Sequence, residues 1–194
     1  NWDGNHRAYV LDGDKFKDIA QPSYSDPTKI RTVISADFDN DGYDEIFMNN
    51  IGEPNKLFKI LEYGKFKEIK IKNGLETFGL GTGAAVADID GDGILELLVS
   101  HGETGLQPLT LYKADINEFN YLRIKPLNKY GAPARGSTVT LKSNKRIHSK
   151  TIDAGSGYLC QMEPVAHYGI RKNEKDFKVE IKWTDGSTTS INIK

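Results

Sequence analysis

Asp88, Asp90 and Asp92 alternate with Ile89 and Gly91, Gly93 follows, and Glu96 ends a stretch of nine residues. Carboxylates at positions 1, 3 and 5 of such a stretch converge on one hard cation. The glycine at position 6 makes the sharp turn, position 7 (Ile94) offers a backbone carbonyl, and the glutamate at position 9 closes the cage. The stretch reads as a calcium loop. The same frame occurs 51 residues earlier, with Asp37, Asp39 and Asp41, then Gly42, the carbonyl of Tyr43, and Glu45. Two Ca2+ sites are therefore expected, one held by Asp37, Asp39, Asp41, Tyr43 and Glu45, the other by Asp88, Asp90, Asp92, Ile94 and Glu96. Asp-Gly clusters also form hairpin turns without any metal. A turn needs one such pair, however, and here three acids alternate at ligand spacing in two matching copies.

Something must present these loops. An EF-hand would place a helix on each side and a bidentate Glu at position 12, where this chain has Met48 and Val99. The flanks are short β-branched or aromatic runs, Val33 to Ala36 and Ile46 to Met48 around one loop, Ala84 to Ala87 and Leu97 to Val99 around the other. Runs of that kind are strands, so each loop reads as the tip of a β-hairpin.

The hairpins belong to a longer repeat. Lys15-Phe16-Lys17-Asp18-Ile19 returns as Lys65-Phe66-Lys67-Glu68-Ile69, and Phe16 and Phe66 are 50 positions apart. Asn55 to Ile60 echoes His6 to Leu11, and a weaker third copy runs from Pro108 to Tyr112 and then Glu118-Phe119. A period near 50 with about four strands per unit is that of a propeller blade. The expected fold is all-β: a partial β-propeller over residues 1–116, followed by a small antiparallel sandwich or barrel over 117–194. Residues 1–20 supply the outer half of one blade, 30–72 a whole blade and 82–116 most of a third. A ring needs at least four blades, so the chain reads as the C-terminal part of a longer propeller. Its open edges point to self-association, with apolar surface expected around Val33, Ile46 and Phe47.

The chain has 194 residues, enough for one or two domains with real cores. Its net charge of −1 conceals an asymmetry: residues 1–116 carry 12 Lys and Arg against 20 Asp and Glu, and residues 117–194 carry 14 against 7. Two calcium ions would neutralise half of the acidic excess. The basic half places its lysines in alternation with apolar residues (Lys178, Glu180 and Lys182 against Val179, Ile181 and Trp183), which is a solvated strand face rather than a nucleic-acid surface. It is expected to pack on the acidic blade rim. No apolar run reaches the length of a membrane span, and Asn1-Trp2-Asp3-Gly4 lacks the character of a signal peptide. A single cysteine, Cys160, excludes an internal disulfide.

From Asn120 onward, Tyr121 to Ile124, Thr138 to Leu141, His148 to Ile152 and Lys178 to Trp183 alternate apolar and polar residues, as strands of a second domain do. A hydrolase would have to be assembled from Ser156, Cys160, His101, His148 and His167. Asp153-Ala154-Gly155-Ser156-Gly157 lacks the first glycine of a nucleophile elbow and reads as a tight bend. Cys160 reads as a buried apolar thiol and His167 as a core or interdomain histidine, while Ser100-His101-Gly102-Glu103 is expected just past a strand, capping the adjacent loop. No catalytic site is expected.

The residues carry a family likeness as well. Arg31 to Asp41, Glu45 to Ile51, Gly81 to Gly93, Ser100 to Glu103 and above all Gly155 to Gly169 closely resemble the cartilage acidic protein family, over nearly the whole chain. The resemblance implies integrin-like FG-GAP (VCBS) blades followed by an ASPIC/UnbV domain, in a secreted protein that binds partners in the extracellular matrix or at cell surfaces; a bacterial relative would be periplasmic or cell-surface. It carries the calcium-loop residues over position by position, and no receptor-binding surface. The function expected is thus a calcium-stabilised extracellular protein-binding or adhesion module without catalysis. The alternative is a carbohydrate-binding or carbohydrate-active propeller whose catalytic part, if any, lies outside this chain, with Trp2 and Tyr63 as the candidate aromatics for a glycan.

Overall fold

The chain opens with an antiparallel hairpin, β1 (Tyr9–Asp12) and β2 (Lys15–Asp18), and a single helical turn, α1 (Pro22–Ser25). Four strands follow as one antiparallel sheet in sequential order: β3 (Ile30–Ala36), β4 (Glu45–Asn50), β5 (Lys56–Glu62) and β6 (Lys65–Glu68). The next sheet has three, β7 (Gly81–Ala87), β8 (Glu96–His101) and β9 (Thr110–Lys113). The computed structural model describes residues 2–62, 64–70, 79–102, 105–116 and 120–193. The fourth strand expected of the third repeat copy, at Glu118-Phe119, and the domain boundary near 117 lie outside the described residues.

The blades form because their strands together supply apolar residues to two cores, one on each face of the four-stranded sheet. In β3, Ile30, Thr32, Ile34 and Ala36 are buried and alternate with exposed Val33 and Ser35. Ile34 pairs with Phe47 in register, and Phe47 with Leu57. This face packs against Ala84, Val86, Leu95, Leu97 and Val99 of the next sheet. The opposite face carries Met48, Phe58 and Phe66 into a second core with Tyr24 of α1, whose ring stacks on Phe66 at 4.3 Å between centroids. Ala8 and Ile19, from either end of the opening hairpin, cover it further.

Phe47 is therefore 0% exposed, and Ile46 is half-buried in the second core; only Val33, at 50%, presents the apolar surface expected of all three. The expectation treated one face of the blade as bare, whereas the opening hairpin and α1 cover it. Ser100 and His101 likewise are the last residues of β8 rather than a loop beyond it.

Six further strands make a sandwich: β10 (Asn120–Ile124), β11 (Thr138–Lys142), β12 (Ile147–Thr151), β13 (Ala166–Ile170), β14 (Phe177–Lys182) and β15 (Thr188–Ile193). β10 pairs with β13, and the other four form a sheet in the order β12-β11-β14-β15. Between the two layers lie Val139, Leu141, Ile152, Ala166, Tyr168, Val179 and Ile181. The buried Tyr168 hydroxyl donates to the Val139 carbonyl at 2.8 Å, which meets the polar requirement of its ring. The architecture is all-β, a partial propeller followed by a β-sandwich.

Candidate metal centre

Both acidic loops are hairpin tips, one joining β3 to β4 and the other β7 to β8. Their backbones match. Position 4 is left-handed in each, Asn40 at φ 54° and Gly91 at 78°, and so is position 6, Gly42 at 91° and Gly93 at 85°. Asn and Gly are the residues that tolerate this conformation, and the alternation of left-handed residues coils the acids inward.

The hydrogen bonds match as well. In the first loop the Gly42 N–H donates to Asp37 Oδ2 (2.9 Å), Asp41 N–H to Asp39 Oδ1 (3.2 Å), Tyr43 N–H to Asp41 Oδ1 (2.9 Å) and Phe38 N–H to Glu45 Oε2 (3.0 Å). In the second, Gly93 donates to Asp88 (3.0 Å), Asp92 to Asp90 (3.3 Å), Ile94 to Asp92 (2.8 Å) and Ile89 to Glu96 (2.7 Å), on the corresponding oxygens. Each acid thus spends one oxygen on shaping the loop and keeps the other. Carboxylate oxygens of Asp37, Asp39 and Asp41, and of Asp88, Asp90 and Glu96, lie within 4.8 Å of one another.

An ammonium marks where the spare oxygens converge. Lys59 Nζ, on β5, sits 2.5 Å from Asp39 Oδ2, 2.7 Å from Asp41 Oδ2 and 3.7 Å from Glu45 Oε1. Lys113 Nζ, on β9, sits 2.6 Å from Asp90 Oδ2, 2.8 Å from Asp92 Oδ2 and 2.7 Å from Glu96 Oε1. Even so, Asp37 Oδ1 and Asp88 Oδ1, the spare oxygens of position 1, are buried with no partner. One ammonium faces four acids in each cage, with Arg123 also paired to Asp88 in the second, and the position-1 oxygen left over is the same in both. A buried carboxylate oxygen without a donor is costly, and a divalent cation with oxygen-only coordination removes that cost. The donor set fits calcium.

The charge imbalance shows in the titration of the first cage. Burial, reinforced by the Asp39 charge, pushes Glu45 up from 4.5 to about 8, and burial pushes Asp37 up from 3.8 to about 6. An acid whose folded pKa is raised adds stability below its unfolded value and loses it as pH rises through the folded value. In chelator, the melting midpoint should accordingly fall as pH rises from about 4 to about 8, that is, from the unfolded values of the two acids to the folded value of Glu45, and calcium should flatten the slope. A midpoint that holds or rises with pH in chelator would contradict the reading of these two acids as uncompensated.

The sandwich is seated on the two loops. The Gly169 N–H of β13 donates to Asp37 Oδ2 at 2.9 Å, and Arg123 of β10 donates to Asp88 Oδ2 at 2.7 Å while also pairing with Glu163. Gly169 lies so close to the Asn40 backbone that a Cβ would overlap it, and Gly93 lies under the Tyr121 ring in the same way. Asn40 spans the assembly: its amide donates to the Gly93 carbonyl of the other loop at 2.8 Å, and its Oδ1 meets His167 Nε2 at 2.7 Å. Because that oxygen can only accept, His167 donates from Nε2. Burial, with the Lys150 charge adding to it, lowers the ring's pKa from 6.5 to about 4, so it is neutral at physiological pH. Lys150 pairs with Asp44 at 2.6 Å and Arg171 donates to the Tyr43 hydroxyl at 2.9 Å, so the basic sandwich does meet the acidic rim.

The structure brings together every acid expected at a metal site. Tyr43 and Ile94 occupy position 7 of their loops, each tied by its N–H to the preceding acid. Sequence reasoning missed Lys59, Lys113, Asn40, Arg123 and Gly169. Cross-strand register was the available signal for the lysines: Lys113 pairs directly with Glu96, and Lys59 lies one residue beyond the Ile46–Phe58 pair, opposite Glu45.

The residues considered for catalysis have other partners. The Ser156 hydroxyl donates to Asp153 at 2.7 Å within a turn, and the His148 ring packs edge-on against Tyr168. Cys160 is half-buried rather than buried, beside Gly83. Ser100 Oγ accepts the Gly83 N–H at 2.9 Å; Glu103 lies outside the described residues. Trp2 is 53% exposed and lies against the Arg31 guanidinium at 5.7 Å, and Tyr63 lies outside the described residues.

An FG-GAP-like repeat model matches residues 1–48, and an ASPIC and UnbV model matches residues 128–193. The first match spans the opening hairpin and the β3–β4 metal loop; the second spans most of the sandwich. The chain is therefore a protein of FG-GAP-like blades followed by an ASPIC/UnbV domain. Along its whole length it is a homologue of the cartilage acidic proteins. It is 45% identical to cartilage acidic protein 1 of Homo sapiens, aligned over 100% of this chain and 31% of that protein. Against the Mus musculus protein it is 44% identical over 100% of the chain and 32% of the relative, and against that of Xenopus tropicalis 44% over 96% and 31%. The chain spans about a third of the length of the curated relatives it matches.

Proposed function

We propose that this chain is a calcium-stabilised extracellular module that binds a protein or glycan partner, in the manner of an adhesion protein, and carries out no catalysis. Residues 1–116 form its blade unit and 117–194 its second domain. The observation that carries the calcium part is the doubling: two hairpin tips 51 residues apart reproduce the same backbone, the same four hydrogen bonds and the same leftover oxygens. Asp37, Asp39, Asp41 and Glu45 would hold one ion, with the Tyr43 carbonyl, and Asp88, Asp90, Asp92 and Glu96 the other, with that of Ile94. Bound calcium supplies positive charge to buried carboxylates. Everything else is done by the chain: the loop N–H groups orient each acid, and Gly169 and Arg123 couple the first acid of each loop to the sandwich.

The extracellular reading is supported by the relatives' name, which places them in cartilage, a tissue composed largely of matrix. The non-catalytic reading is supported by the structural tasks already occupying Ser156, His148 and His167. Open strand edges on the blades and the length of the relatives agree with further blades, or a second copy, completing the surface.

Calorimetric titration of the metal-free chain should show two calcium ions taken up, with dissociation constants of about 10⁻⁴ to 10⁻³ M, the range of extracellular modules. Chelation should lower the melting midpoint, by removing a stabilisation that grows with the logarithm of the ratio of free calcium to the dissociation constant. No heat of binding, or a midpoint indifferent to chelator, would overturn the calcium reading.

A further inference from the structure

We infer that Lys59 and Lys113 are tethered cations that hold the two acid cages together in the metal-free chain, and that calcium enters each cage by displacing its ammonium. The inference rests on the calcium reading and adds to it what occupies the sites beforehand.

Three observations carry it. Both lysines come from the same place in their repeats, the strand that pairs with the one following the loop, and both reach the spare oxygens of positions 3, 5 and 9. No other lysine among the described residues is shown against three carboxylates. Second, the first acid of each cage keeps its spare oxygen unpartnered, so the ammonium fills the cage only in part; a single charge with three donors cannot satisfy it. Third, a divalent cation held by those oxygens would lie within a few ångströms of the ammonium, and two cations do not share one cage. Each Lys Nζ ends a flexible four-carbon stem that is partly exposed to solvent, 24% for Lys59 and 31% for Lys113, so it has a way out that requires no backbone movement.

The arrangement has a definite purpose in physical terms. Without an ion, four acids at one hairpin tip would repel one another and loosen the seat of the sandwich. The ammonium limits that repulsion, and its displacement makes calcium binding weaker than the acids alone would dictate. The cages are thereby set to fill only where calcium is abundant, as it is outside cells, and to remain folded where it is scarce.

The test is brief acylation of the whole chain with a lysine-selective reagent, read residue by residue by mass spectrometry, in chelator and in saturating calcium. Lys59 and Lys113 should be protected in chelator and should gain at least about tenfold in reactivity with calcium, while exposed Lys145 and Lys172 should not change. In parallel, Lys59→Met, which keeps most of the stem, should tighten calcium binding at one site by about tenfold and lower the metal-free melting midpoint. If wild-type chain takes up calcium while both lysines stay protected and K59M leaves the affinity unchanged, the displacement inference fails and the calcium reading survives. If the wild type takes up none but the K59M/K113M double variant does, the lysines are permanent substitutes for the ion; displacement is overturned and calcium is not the native occupant. If neither chain takes up calcium, both readings fall.

Discussion

Asp37→Ala is expected to lower the unfolding free energy in saturating calcium by about 2–6 kcal/mol, because it strips two buried N–H groups of their acceptor at about 1–3 kcal/mol each. Those groups are the Gly42 N–H inside the loop and the Gly169 N–H of the sandwich. The same substitution also deletes a ligand, so one calcium equivalent should vanish from the titration. In chelator the loss should be smaller, since Asp37 is then a carboxylate that burial already penalises. Asp185, an exposed turn acid whose side chain accepts from Ser187, is the control, and Asp185→Ala should cost far less. Urea unfolding of both variants, with and without calcium, checks the outcome; equal losses for the two would mean that the loop is only a turn.

Gly169→Ala is expected to cost about 3 kcal/mol, the upper end of the usual range of about 1–3 kcal/mol for forcing a methyl group into a packed contact. The new Cβ would meet main-chain atoms of Asn40, which cannot move aside as a long side chain can. To accommodate it, β13 must lift away from the first loop. That shift stretches the bonds from Gly169 to Asp37 and from His167 to Asn40 together. Calorimetric melting should therefore change from one transition to two, the blades and the sandwich unfolding separately, and calcium should no longer raise the temperature at which the sandwich melts. A variant that melts in one step, with the wild-type response to calcium, would show that the sandwich does not depend on the loops.

The loops were legible in the sequence because their chemistry is local: all the acids of a cage fall within nine residues, and the spacing of ligands is itself the signal. The blades were legible from the 50-residue echo around Phe16 and Phe66, and four of the six sandwich strands from their alternation. The other two gave no such pattern, for opposite reasons. β13 is buried along nearly its whole length, between the loops on one side and its own core on the other, so Ala166-His167-Tyr168-Gly169 shows no polar face. β15 is exposed at almost every residue, so Thr188 to Ile193 shows little apolar face. The misreading of Phe47 has a related cause, since burial on both faces of a blade depends on neighbours far along the chain. Long separation also hid the seat of the sandwich: Asp37 and Gly169 are 132 residues apart, and Asn40 and His167 are 127 apart. Nothing in either stretch alone indicates its partner.

Asn40 and Gly91 hold the same position in the two hairpins, and both satisfy the left-handed backbone required there. For the backbone they are equivalent solutions, and a copy of either hairpin would fold in either place. They differ in that Asn40 has an amide, and that amide joins the first hairpin to the Gly93 carbonyl of the second and to His167. The two units have thus kept the shape of a duplication while losing its symmetry. Exchange the order of the hairpins, or replace the first by a duplicate of the second, and each loop would still coil around its own acids, but the amide bridge between them would be gone. For this chain the repeat is no longer a module that can be shuffled: its succession carries information that neither hairpin holds by itself.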